Sequence, residues 1–288
     1  PRTATSVLNT DAAGQTRASG TIVGVTSAGL DVFALNGGHV IVDVTGWFTG
    51  VSAPSGRDGL FVASPTPSRL ADTRAGDPIW ANGAIEIANV APDAAALALN
   101  VAMITPHRPG FLTAYAARQP VPGTSTVNGV ASSEVAATMA IVPASNVGVG
   151  LYASGGADAA VDLAGWFVGT PISTPAAAPP NNVRPPTCST TTDPDGLNAF
   201  FQGGSVFAGA DDQRGFALPD GRYLWFFQDV FIRGRGGSKM VHNAGLVQNG
   251  ACFTPLYSGN YASPDEYLFP DATQRRQHWF WPLGGDIG

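Results

Sequence analysis

The stretch 203–232, GGSVFAGADDQRGFALPDGRYLWFFQDVFI, contains two short β-rich runs, 203–208 and 223–232, around an acidic loop and the turn Pro219-Asp220-Gly221. Pro fixes φ and Gly accepts the left-handed position, so this turn between apolar runs predicts a hairpin. Asp211 and Asp212 then stand near one edge of the hairpin and Asp229 inside its second strand. A carboxylate within Leu224-Trp225-Phe226-Phe227-Gln228-Asp229-Val230-Phe231 is costly to bury without a partner, which makes Asp229 a candidate site residue.

The rest of the chain supports an all-β reading. Of 288 residues only 12% are charged, and 36 Gly and 23 Pro favour short strands and tight turns over long helices. A net charge of -6 argues against nucleic acid as a partner. No apolar run is long enough to form a transmembrane segment. The two cysteines, Cys188 and Cys252, either form one disulfide or stand as two buried thiols.

An internal repeat organises the first part. Val42-Asp43-Val44-Thr45-Gly46-Trp47-Phe48 recurs as Val161-Asp162-Leu163-Ala164-Gly165-Trp166-Phe167, an offset of 119 residues that also relates Asn9 to Asn128. Residues 1–50 therefore read as the C-terminal half of one unit, 51–59 as a linker and 60–169 as a complete unit of short strands, an antiparallel β-sandwich or barrel. Lacking a first half, 1–50 is not expected to bury a full core, and the chain reads as cut from a longer one. Arg69, Asp72 and Arg74 read as a structural ion pair closing a loop rather than a ligand site. Asp43 and Asp162 read as structural, and Trp47 and Trp166 as core anchors. Residues 170–192, rich in Pro, Ala and Thr, form an extended spacer.

The series RLADTR, ALNV, GFLTAY, TSTVN and VDLAGWF across 1–169 resembles a β-repeat module of secreted actinobacterial proteins. That resemblance implies export, an extracellular or cell-wall location, and an accessory role in adhesion or carbohydrate contact.

From 193 onward the chain becomes aromatic. Runs 239–248 and 251–257, joined by Asn249-Gly250, predict a second hairpin with a type I′ turn, and His278-Trp279-Phe280-Trp281-Pro282 a further strand. The order GADD, LPDGRYLWFFQDVFI, HNAGLVQNG and WFWP resembles the opening of five-bladed β-propeller glycoside hydrolases of the DUF4185-like, D-arabinanase-related group. The resemblance implies the first one or two blades of a propeller over 193–288, truncated and inactive by itself. It places catalytic acids on Asp211 and Asp229, with Asp212 as the alternative to Asp211, and substrate contacts on Asn243, His242 and Trp225. Gln228 departs from the small residue expected there. Glycoside hydrolysis needs one carboxyl to protonate the leaving oxygen and another to attack or to activate water. The expected partner is a polysaccharide or cell-wall glycan, with an arabinan in view. No His pair has metal-ligand spacing and no nucleotide or nucleophile motif appears, so neither metal nor cofactor is expected. Asp193-Pro194-Asp195-Gly196 reads as a turn rather than a calcium loop. The competing reading is a non-catalytic surface adhesin or carbohydrate-binding protein.

Overall fold

A computed structural model describes residues 6–10, 12–49, 55–130, 134–174, 181–269 and 279–282. The chain divides into two compact units, Pro1–Arg74 with Pro78–Val183, and Arg184–Gly288 with Ala75–Asp77. Nearly all regular structure is β, as the Gly- and Pro-rich, Lys- and Glu-poor composition dictates.

In the first unit the strands are β1 (Phe61–Asp72), β2 (Gly83–Ala88), β3 (Ala94–Ile104), β4 (Gly110–Ala116), β5 (Val127–Gly129), β6 (Val135–Pro143), β7 (Gly148–Ala153) and β8 (Asp158–Val168). They form two antiparallel four-stranded sheets, ordered β1-β8-β3-β6 and β2-β7-β4-β5. Period-two alternation turns Leu97, Leu99, Val101 and Met103 of β3 inward, where they share one core with Leu112 of β4 and Val149 and Leu151 of β7. Every strand pairing joins the first half of the repeat, β1 to β4, to the second half, β5 to β8; no strand pairs within its own half. Residues 6–10 and 12–49 carry no strand, and their one described backbone bridge is Thr26 with Gly29.

The RLADTR motif ties β1 to β8. Arg69 donates to Asp162 at 2.5 Å and to Asp72 at 2.6 Å, and Arg74 donates to Asp72 at 2.5 Å. Hydrogen bonding from Arg74 holds the Asp72 carboxyl well below the usual carboxylate range, against the opposing effect of its burial.

In the second unit, β9 (Thr187–Cys188) is followed by the one-turn helix α1 (Pro194–Ala199) and a π-helical turn, Phe200–Gly204. Asp193 caps α1 by accepting from the Gly196 N–H at 2.8 Å, so Asp193-Pro194-Asp195-Gly196 is a helix start. Then come β10 (Phe207–Ala217), β11 (Tyr223–Gly234), β12 (Gly237–Asn249), β13 (Cys252–Leu256) and the short pair β14 (Ser258–Gly259) and β15 (Pro264–Asp265). The main sheet is antiparallel in the order β10-β11-β12-β13-β9. Its first four strands are a simple meander, the plan on which a propeller blade is built, here as one open sheet.

Two local details differ from expectation. Residues 211–217 continue β10 as a bulged strand instead of forming an acidic loop, because β11 pairs with them through Ala217. In the β12–β13 turn only Gly250 of the two central residues has positive φ, 59°, which suits the first position of a type II′ turn and not the paired left-handed residues of type I′.

The two cysteines are bonded: Cys188 faces Cys252 across β9 and β13 and a disulfide joins them over 64 residues of chain. Breaking it, as a Cys188→Ala/Cys252→Ala double variant, should lower the unfolding free energy of the C-terminal unit by up to about 4 kcal/mol in urea titration. A second expectation concerns acid. A depressed folded pKa stabilises above the unfolded value of about 3.9 and loses that contribution as pH falls through the folded value. Unfolding midpoints of Asp72→Asn should therefore lie below wild type at pH 7, and the gap should start to close only below about pH 4 and vanish once pH has fallen through the depressed folded value.

Candidate functional site

The polar residues of the C-terminal sheet gather where its strands change phase. On β11 the core-facing residues are Trp225 and Phe227, then Val230 and Ile232; on β12 they are Val241, then Ala244 and Leu246. A strand shows alternate residues to one face, so each step of three marks a break. The residues passed over are Gln228-Asp229 and His242-Asn243, which lie opposite one another in register. Asp229 has φ 40°, in the left-handed region. Between Gly209 and Asp211 on β10, opposite Phe231 and Gln228, the register shifts, and a second shift between Asp211 and Arg214 contains Asp212 at φ 37°. Left-handed backbone costs a non-glycine residue on the order of 1–2 kcal/mol, and such strain concentrates where a strand re-aims side chains.

The side chains aimed by these breaks form one network. The Asp229 carboxylate Oδ1 lies 3.0 Å from His242 Nδ1 and accepts the Trp281 indole N–H at 3.2 Å. Trp279 stacks on the His242 ring at 4.4 Å and 19°, with Trp281 edge-on to Trp279. Gln228 donates from Nε2 to Asp212 Oδ2 at 2.9 Å and to the Pro282 carbonyl at 3.3 Å, and Arg214 pairs with Asp212 at 3.1 Å. Asn243, fully buried, donates to the Leu268 and Phe280 carbonyls at 2.6 and 2.8 Å and accepts from the Leu268 N–H at 2.6 Å. Segment 279–282 is thus laid across the phase break, held at Phe280 by Asn243 and at Pro282 by Gln228. Trp279 and Trp281 remain 46% and 47% exposed and the Asp229 side chain 40% exposed, so the cluster is open to a ligand.

The residues singled out in the sequence divide accordingly. Asp229 and His242 meet. Asp212 accepts from Gln228, which also holds the Pro282 carbonyl, and bonds neither Asp229 nor His242 directly, whereas Asp211 is exposed and its carboxylate accepts the Asp212 N–H at 2.8 Å. Asn243 acts from beneath as a latch. Trp225 sits apart: its ring packs on the core and over Gly215, and its indole donates to Gln248 at 2.8 Å. Sequence reasoning did not identify Gln228, Trp279 and Trp281 as site residues. The available signal was a pair of polar residues, Gln-Asp and His-Asn, in the middle of each of two apolar strands, followed by an aromatic run. His278 lies outside the described residues. Among the described residues, no cluster of three or more His, Cys, Asp or Glu could hold a metal ion.

Chemically, the arrangement offers a carboxylate oriented by an imidazole and an indole N–H, a second carboxylate on the adjoining strand, and two exposed indoles. The indoles present flat apolar faces with a polar edge, suited to a ligand with both hydroxyl and C–H surfaces.

The family of a domain of unknown function, DUF5005, matches residues 195–288, which contain the whole network. No curated protein and no solved structure matches the chain.

Replacing Asn243 by Ala leaves the Leu268 N–H and two carbonyls without their buried partner. The C-terminal unit should lose about 2–3 kcal/mol of stability, and tryptophan emission should shift to the red as segment 279–282 is released.

Proposed function

We propose that the C-terminal unit acts on a polysaccharide as a glycoside hydrolase, and that the chain works outside the cell or at the cell wall. The observation that carries this reading is Asp229: a strained, partly exposed carboxylate held by His242 and Trp281 between exposed aromatic rings. Asp229, oriented by His242 and the Trp281 indole N–H, attacks the sugar or activates water. Asp212 supplies the second carboxyl on the neighbouring strand, and Trp279 and Trp281 stack against the C–H faces of sugar rings. The low charge and the Cys188–Cys252 disulfide suit an oxidising, extracellular setting. The β-sandwich repeat serves as an accessory module for adhesion or carbohydrate contact.

One observation favours a non-catalytic glycan-binding protein as the second reading. The Asp212 carboxylate is already engaged by Arg214 at 3.1 Å and by Gln228 at 2.9 Å, which leaves no second carboxyl shown directed at a leaving oxygen. The two readings separate in one experiment on the full chain with arabinan and purified cell-wall glycans. Hydrolysis predicts reducing-end release that falls at least about 100-fold in Asp229→Asn with binding retained. Glycan retention in affinity electrophoresis without product would establish the binding reading, and neither binding nor product would defeat both.

A further inference from the structure

His242 is held in a way that substrate contact alone does not account for. At one edge of its ring, Nδ1 lies 3.0 Å from Asp229 Oδ1 across the β11–β12 pairing. Against one face Trp279 stacks at 4.4 Å, carried by the segment that Asn243 and Gln228 hold. The opposite edge is open: among the described residues Nε2 makes no hydrogen bond, and the side chain is 28% exposed.

The partner fixes where the ring carries its proton. A carboxylate only accepts, so the proton of the Asp229–His242 contact sits on Nδ1. In the neutral ring this leaves the Nε2 lone pair as an acceptor on the edge away from Asp229. An imidazole tied to a carboxylate through Nδ1 and open at Nε2 is arranged to take a proton from a nucleophile. The Asp229 carboxylate is placed differently. Its Oδ1 meets both the imidazole and the Trp281 indole N–H, two groups on separate segments that hold it toward the ring.

We propose that His242 is the catalytic base of the hydrolase, that Asp229 is its positioning residue, and that the glycosidic bond is cleaved in one step with inversion. This rests on the glycoside hydrolase reading above and selects water activation over direct attack by Asp229. A water proton passes to Nε2 as the water oxygen bonds to the anomeric carbon. The bond to the leaving sugar breaks with its electron pair on the leaving oxygen, which takes a proton from Asp212, the second carboxyl of that reading. The imidazolium then returns its proton to the Asp212 carboxylate through solvent. No covalent bond between sugar and protein forms, so the new hydroxyl enters on the face opposite the leaving group.

The test uses the full chain with arabinan and purified cell-wall glycans. Proton NMR of the first product released by the wild-type chain should show the inverted anomer, and added methanol should yield no methyl glycoside with retained configuration. His242→Gln, with cooperative unfolding in urea retained, should lower kcat at least about 100-fold and leave KM within about threefold. Adding Asp229→Asn to it should cost little more, because residues that act as one unit are not additive. Imidazole added to His242→Ala should restore part of the rate, and the same addition to Asp229→Asn should not. The inference alone fails if the wild-type chain releases product with retained configuration. It also fails alone if folded His242→Gln keeps kcat within about threefold of wild type. No product from any of the glycans overturns the hydrolase reading and the inference with it. The anomer measurement needs no variant, so it decides the matter if His242→Gln does not fold.

Discussion

The C-terminal unit turns on the backbone at Asp229. A strand that kept strict alternation through LWFFQDVFI would point either Phe227 or Val230 away from the core, since the two are three residues apart. The left-handed φ of Asp229 resolves this by resetting the phase, so that Trp225, Phe227, Val230 and Ile232 all pack on the same core. Burial of each such side chain stabilises by about 1.5–3 kcal/mol, more than the on-order-of-1–2 kcal/mol cost of the strained residue. The residues released from the core face by the reset are the polar pair Gln228-Asp229, and the matching break on β12 releases His242-Asn243. One packing constraint therefore generates the polar cluster.

The same economy of partners governs the N-terminal module. Its two sheets are stitched entirely by pairings between one half of the repeat and the other, reinforced by Arg69 reaching from β1 to Asp162 of β8. Such interleaving makes the sandwich cooperative, because neither half can order its backbone without the other.

Much of this was legible in the sequence. Gly and Pro content and regular short apolar runs marked the all-β class, and the 119-residue repeat marked the two halves whose strands pair with one another in the sandwich. The Pro219-Asp220-Gly221 turn and the carboxylate at 229 were marked by local chemistry alone. What was not legible depends on long-range packing. The distinction between Asp211 and Asp212 follows from where β10 bulges against β11, which no local propensity sets. The indole of Trp281 reaches Asp229 across 52 residues, and the burial of Asn243 exists only because segment 279–282 returns over it. The II′ turn at Gly250 reflects one required positive φ where the Asn-Gly pair suggested two.

The account is tested most directly at Asp229 with glycine, which takes φ 40° without strain and removes the carboxylate. Unfolding free energy and glycan turnover would be measured on the same Asp229→Gly preparation. If the strain at 229 is retained for the site, the variant keeps the fold with stability within about 1 kcal/mol of wild type, while turnover and His242 positioning are lost. A variant that keeps full turnover would contradict the account, because the left-handed residue would then be a packing device and nothing more.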